Sequence, residues 1–124
     1  MNKITKISER LDLIVSLSDN WDGYGACEID KIVANNLRFI LKTLDPNFIY
    51  SIKVSNIIPT ANGTIMLEWN TKDAYLLLDI GEKYATLVAN FDDDTNAAID
   101  RIEFTKNDVS EITENLHKFY DTQA

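Results

Sequence analysis

The hydrophobic period of this chain changes near Phe48 from 3.6 residues to 2, and that change decides the fold class. Upstream, Ile4, Ile7, Leu11, Ile14 and Leu17 recur at three- and four-residue steps with polar residues between them, which predicts an amphipathic helix ending near Ser18-Asp19-Asn20. Ile32, Val33, Leu37, Ile40, Leu41 and Leu44 predict a second helix from about Lys31 to Leu44, with Asp30 as N-cap and Asp45-Pro46 as its stop. Downstream, the chain is rich in β-branched and aromatic residues separated by turn signals. Strands are expected at about Tyr50 to Ile58, Thr64 to Asn70, Ala74 to Ile80, Tyr84 to Phe91 and Ala98 to Phe104. Their turns are Ala61-Asn62-Gly63, Thr71-Lys72-Asp73, Gly81-Glu82-Lys83 and Asp92-Asp93-Asp94-Thr95-Asn96. Val109, Ile112, Leu116, Phe119 and Tyr120 return to helical spacing from about Asp108 to Tyr120, with Thr105 or Asn107 as cap. The expected fold class is α+β: two N-terminal helices, a five-stranded mainly antiparallel meander sheet and one C-terminal helix, with the helices over one face.

With 124 residues, 45% of them hydrophobic and 26% charged, the chain reads as one soluble domain over residues 1–124. Neither a secretory signal nor the run of about 20 apolar residues that spans a bilayer is present in the sequence. A single cysteine, Cys27, fits a reducing compartment, so a cytoplasmic location is expected. The charge is uneven. Residues 1–62 carry 7 acidic and 7 basic side chains, whereas residues 63–124 carry 13 acidic and 5 basic, so the whole net charge of −8 sits in the second half. That half repels phosphate, which disfavours nucleic acid and anionic membrane as partners. It suits a basic protein partner, or simply solubility.

The sharpest local feature is Asn20-Trp21-Asp22-Gly23-Tyr24-Gly25-Ala26, two aromatics and two glycines in the joint between the helices. Trp21, Asp22 and Tyr24 form either a packed corner built on an Asp-Gly turn or a small recognition surface. On the strands, alternation sets Ile65, Leu67 and Trp69 on one face and Thr64, Met66, Glu68 and Asn70 on the other, with Tyr75, Leu77 and Asp79 alternating against Leu76, Leu78 and Ile80. If the second face is open, Glu68, Tyr75 and Asp79 make an acidic, aromatic-bearing surface. No catalytic residue, metal site or cofactor is assigned. The Asp92 to Asn96 loop lacks the Gly and distal Glu of a calcium loop, His117 has no second ligand at zinc spacing, Cys27 has no His beside it, and the glycines match no phosphate loop.

Asn20-Trp21-Asp22-Gly23-Tyr24-Gly25-Ala26, followed by Pro59-Thr60, Gly63, Ile65 and Leu67-Glu68-Trp69, resembles a group of small bacterial proteins that share N-W-D-x-Y-G-A and P-T-x-x-G-x-I-x-L-E-W segments. The resemblance covers roughly residues 11 to 80, and this chain departs from it at Glu28, where the group usually has Pro. It marks a family without an established activity, and implies an antitoxin, immunity or partner-binding role. The leading expectation is therefore a non-catalytic acidic interaction domain for a basic partner, with Trp21, Tyr24 or Tyr75 as aromatic anchors and a homodimer through sheet edges as a further arrangement. The alternative is a small hydrolase or ligand-binding domain with a pocket near Trp21, Asp22 and Glu68.

Overall fold

The computed structural model describes residues 2–44, 46–70, 74–91, 96–103, 112–114 and 116–117. The first helix, α1 (Lys3–Val15), begins at Asn2, whose side chain accepts from the Thr5 amide at 2.8 Å. It buries Ile7, Leu11 and Ile14. The second, α2 (Lys31–Lys42), is capped as expected by Asp30, which accepts from the Ile32 amide at 2.9 Å, and it buries Val33, Ala34, Leu37, Ile40 and Leu41. Most of each expected stripe reaches one core, but Ile4 and Ile32 are exposed, each lying near the start of its helix and off the buried face.

The segment after α2 corrects the sequence reading. Instead of a strand from Tyr50 to Ile58, residues Pro46–Ser51 form a short helix, α3, followed by a 3-10 turn at Val54–Asn56 and a three-residue strand, β1 (Ile57–Pro59). Proline at the first helical position sacrifices no hydrogen bond and presets φ for a helix. Phe48, Ile49 and Ile52 then fall on one buried side, and the Phe48 ring meets Trp69 edge-to-face at 5.0 Å. Tertiary packing of these side chains outweighs their β-type composition.

Four longer strands follow: β2 (Ile65–Asn70), β3 (Ala74–Ile80), β4 (Tyr84–Phe91) and β5 (Asn96–Glu103). Each pairs antiparallel with its sequence neighbour, and β1 adds a short edge pairing to β2 through Ile57↔Leu67, Ile58↔Met66 and Pro59↔Ile65. Of the five strands expected, the last four correspond to β2 to β5, and only the end of the first enters the sheet. The inward side chains are Ile65, Leu67 and Trp69 on β2, Leu76, Leu78 and Ile80 on β3, and Ala85, Leu87 and Ala89 on β4. They share one hydrophobic cluster with the helices, including Ile112 and Leu116 of the C-terminal segment, whose described residues are helical. The architecture is thus α+β, helices on one side of an antiparallel sheet.

Polar ties fix the helices over that sheet. Lys3 Nζ donates to the Ile52 carbonyl at 2.7 Å and Arg10 Nε to the Ile57 carbonyl at 3.0 Å, which also blunts the β1 edge, as does Pro59. Asn36 Nδ2 donates to the carbonyls of Gly81 and Glu82, holding α2 to the β3–β4 turn. The expected Thr71 to Asp73 turn, Asp92 to Thr95, the caps Thr105 and Asn107, and most of the Asp108 to Tyr120 helix lie outside the described residues.

Candidate functional site

Two surfaces carry the residues singled out by sequence, and the fold separates them. The first is the joint between α1 and α2. Three of its residues need a left-handed backbone: Asn20 at φ 62°, Gly23 at 78° and Gly25 at 87°. Side chains of the same segment hold that path in place. Asp22 Oδ1 accepts from the amides of Tyr24 (2.8 Å) and Ala26 (3.1 Å), and Asn20 Oδ1 accepts from Gly25 at 2.6 Å. The Trp21 indole donates Nε1–H to the Cys27 carbonyl at 2.9 Å, and Asp19 Oδ1 accepts from Glu28 at 2.9 Å. Asp22 and Trp21, both half-buried, are therefore committed to their own loop. Tyr24 is not: its side chain is 93% exposed at the tip.

This loop also docks on the β1–β2 hairpin. The Cys27 amide donates to the Ala61 carbonyl at 2.9 Å. Gly63, at φ 83°, lies so close that a Cβ there would sit 3.4 Å from the Glu28 carbonyl oxygen. Thr60 and Thr64 close the hairpin through a 2.6 Å hydroxyl contact. The two sequence segments that stand out along the chain meet in one structure.

The second surface is the outward face of the sheet. Met66 and Glu68 of β2, Tyr75, Leu77 and Asp79 of β3, and Tyr84, Thr86 and Val88 of β4 are all half-buried there, while the described helices pack on the opposite face. The register, which sequence alone left open, places Asp79 opposite Met66 and Thr86, and Glu68 opposite Leu77, itself opposite Val88. Glu68 is thereby diagonal to both Tyr75 and Asp79. Tyr75 titrates above the ordinary phenol range, first because burial disfavours the phenolate and second because of the negative charge of Glu68. Asp79 Oδ1 is shielded from solvent and has no hydrogen-bond partner among the described residues. A carboxylate oxygen shielded in this way is costly unless a donor reaches it.

Glu68, Tyr75 and Asp79 thus share a face, with Met66, Leu77 and Val88 as an apolar centre; Val88 was not singled out from sequence, since its place depends on register. Trp21, Asp22 and Tyr24 belong to the loop surface. A groove of about 200 Å³ lies elsewhere, between α1, α2 and α3, and none of Trp21, Asp22 or Glu68 lines it. Sequence reading missed it: Ile4, counted there in the apolar stripe of the first helix, is 66% exposed and forms part of the groove wall. Among the described residues no group of three or more His, Cys, Asp or Glu can hold a metal ion, and no helix is long and apolar enough to cross a membrane. No protein-family model, curated protein or solved structure matches this chain.

Proposed function

We propose that this protein is a non-catalytic interaction domain that binds a basic protein partner on the outward face of its sheet, in the manner of an antitoxin or immunity protein. The observation that supports the reading is Asp79 Oδ1, shielded and without a donor among the described residues, on the same face as Glu68 and the apolar Met66, Leu77 and Val88. A guanidinium or ammonium from a partner supplies the missing donor, and the apolar centre supplies the desolvated contact in which such a bond gains strength. Charge of one sign also argues against a second copy as the occupant: two such faces would oppose carboxylate to carboxylate. The negative balance of residues 63–124 extends the same complementarity and steers association at low salt. Proteins of the N-W-D-x-Y-G-A group are proposed as relatives on the residues quoted above.

The test is affinity capture of the tagged protein from its native cells at low and high salt, run with wild type, Leu77→Arg, Glu68→Lys and Tyr24→Ala. One near-stoichiometric basic partner, released by salt and by the Leu77 and Glu68 changes but retained by Tyr24→Ala, is the expected result. A partner lost only with Tyr24→Ala assigns binding to the loop instead. Capture that is indifferent to salt and to the sheet-face variants refutes the reading.

A further inference from the structure

The groove between α1, α2 and α3 differs in chemistry from both surfaces above. Its walls are Ile4, Ile7 and Leu11 of α1, Leu41 of α2 and Ile49 of α3. Its polar margin is Ser8, Arg38 and Lys42, and among the described residues no carboxylate lines it. Arg38 is half engaged, with NH2 on Asp12 at 2.9 Å and NH1 on Asn35 at 3.2 Å. Lys42, one helical turn further along α2, makes no ion pair or hydrogen bond among the described residues. In a chain of net charge −8, an apolar groove rimmed by two cations and a hydroxyl runs against the prevailing charge.

We propose that this groove binds a small amphipathic carboxylate, an alkyl or aryl chain lying on the apolar walls with its head at Lys42 and the free edge of Arg38. An apolar cavity of about 150 Å³ holds benzene, so about 200 Å³ accepts a chain of roughly eight heavy atoms with the carboxylate outside. Ligand sites of this kind combine predominantly apolar walls with a few converging polar groups. The charged residues at the margin, Arg38 and Lys42, are donors, which favours an anion over a cation of equal hydrophobicity even with one edge of Arg38 already on Asp12. The inference is independent of the sheet-face reading, since it involves other residues and another charge.

The experiment is an amide NMR titration of the full chain with sodium octanoate, octylammonium chloride as the charge-reversed control, and a Leu/Glu-rich amphipathic peptide. Octanoate is expected to shift the signals of Ile7, Leu11, Leu41 and Ile49 saturably and to bind at least tenfold tighter than octylammonium, with the preference lost in Lys42→Glu. A Lys42→Gln variant, neutral on an exposed helix position, keeps the fold and is expected to weaken octanoate alone. Equal binding of the two amphiphiles overturns the proposal, as does octanoate affinity unchanged by either Lys42 variant. Binding of the peptide without octanoate reassigns the groove to a protein segment, and the same shifts on concentrating the ligand-free protein assign it to a second copy; either overturns it.

Discussion

Replacing Asp22 by Ala separates a structural Trp21 loop from a binding one, because its cost can be worked out from two hydrogen bonds. Asp22 Oδ1 is the acceptor for the Tyr24 and Ala26 amides at 2.8 and 3.1 Å. The Tyr24 amide is at the exposed tip, so water replaces the lost acceptor and the cost is about 0.5 kcal/mol. Ala26 is buried, water reaches its amide poorly, and losing a charged acceptor there costs about 1.5 kcal/mol. The sum, about 2 kcal/mol, divided by an unfolding entropy of about 0.26 kcal/mol/K for 124 residues, lowers the Tm by about 8 °C. Asp22→Asn keeps an oxygen in the same position and is expected to cost under about 1 kcal/mol. Urea and thermal unfolding followed by far-ultraviolet circular dichroism measure both. An Asp22→Ala protein within about 0.5 kcal/mol of wild type refutes the argument, and so does an Asn variant as damaged as the Ala variant, since the retained oxygen would then contribute nothing.

Other consequences follow from the same geometry. Gly25→Ala meets nothing within 4 Å and Gly63→Ala meets the Glu28 carbonyl only at 3.4 Å, so both are expected to suffer chiefly from the left-handed backbone, about 1 to 2 kcal/mol each, measured by urea unfolding. Phe48→Ala removes a fully buried ring from Trp69 and is expected to cost about 3 to 5 kcal/mol, with a matching change in Trp69 fluorescence. The raised pKa of Tyr75 means that the folded state holds its phenolic proton more tightly than the unfolded chain does. Its contribution is fully present below the unfolded phenol value of about 10 and is lost as pH rises from there through the folded value. Ultraviolet titration of tyrosinate is expected to lose its late component in Tyr75→Phe and to show it earlier in Glu68→Gln.

What sequence revealed and what it concealed have separate physical causes. The helices and the two faces of β2 and β3 were legible because each period is set by backbone geometry alone, and Ile65, Leu67, Trp69, Leu76, Leu78 and Ile80 all point inward as alternation requires. Residues 46–52 were not, because Phe48, Ile49, Tyr50 and Ile52 have strand-like composition, and the packing that favours the helix, such as Phe48 on Trp69, involves residues distant in sequence. Register was equally hidden. The position of Glu68 relative to Asp79 depends on how two strands align, and no residue within either strand states it.

The motif residues can be sorted by whether the fold has already used them. Asn20, Asp22, Gly23 and Gly25 are consumed in shaping the loop, Trp21 and Cys27 in closing it, and Ala61 and Gly63 in receiving it on the hairpin. Their joint occurrence needs no ligand to explain it: Gly63 supplies the left-handed turn of the hairpin, and the hydrogen bond from the Cys27 amide to the Ala61 carbonyl ties the loop to it. Tyr24 and Glu68 are left over. The former stands on a hydrogen-bonded loop with its ring in water, and the latter lies on the sheet face with Asp79, whose shielded oxygen has no donor among the described residues. Exposed tyrosine on a fixed backbone loses little entropy on binding, but it lacks a neighbouring unsatisfied group to define a partner's chemistry. Asp79 defines one, since only a donor relieves it. That difference is why the sheet face, and not the more conspicuous loop, is the surface to mutate first.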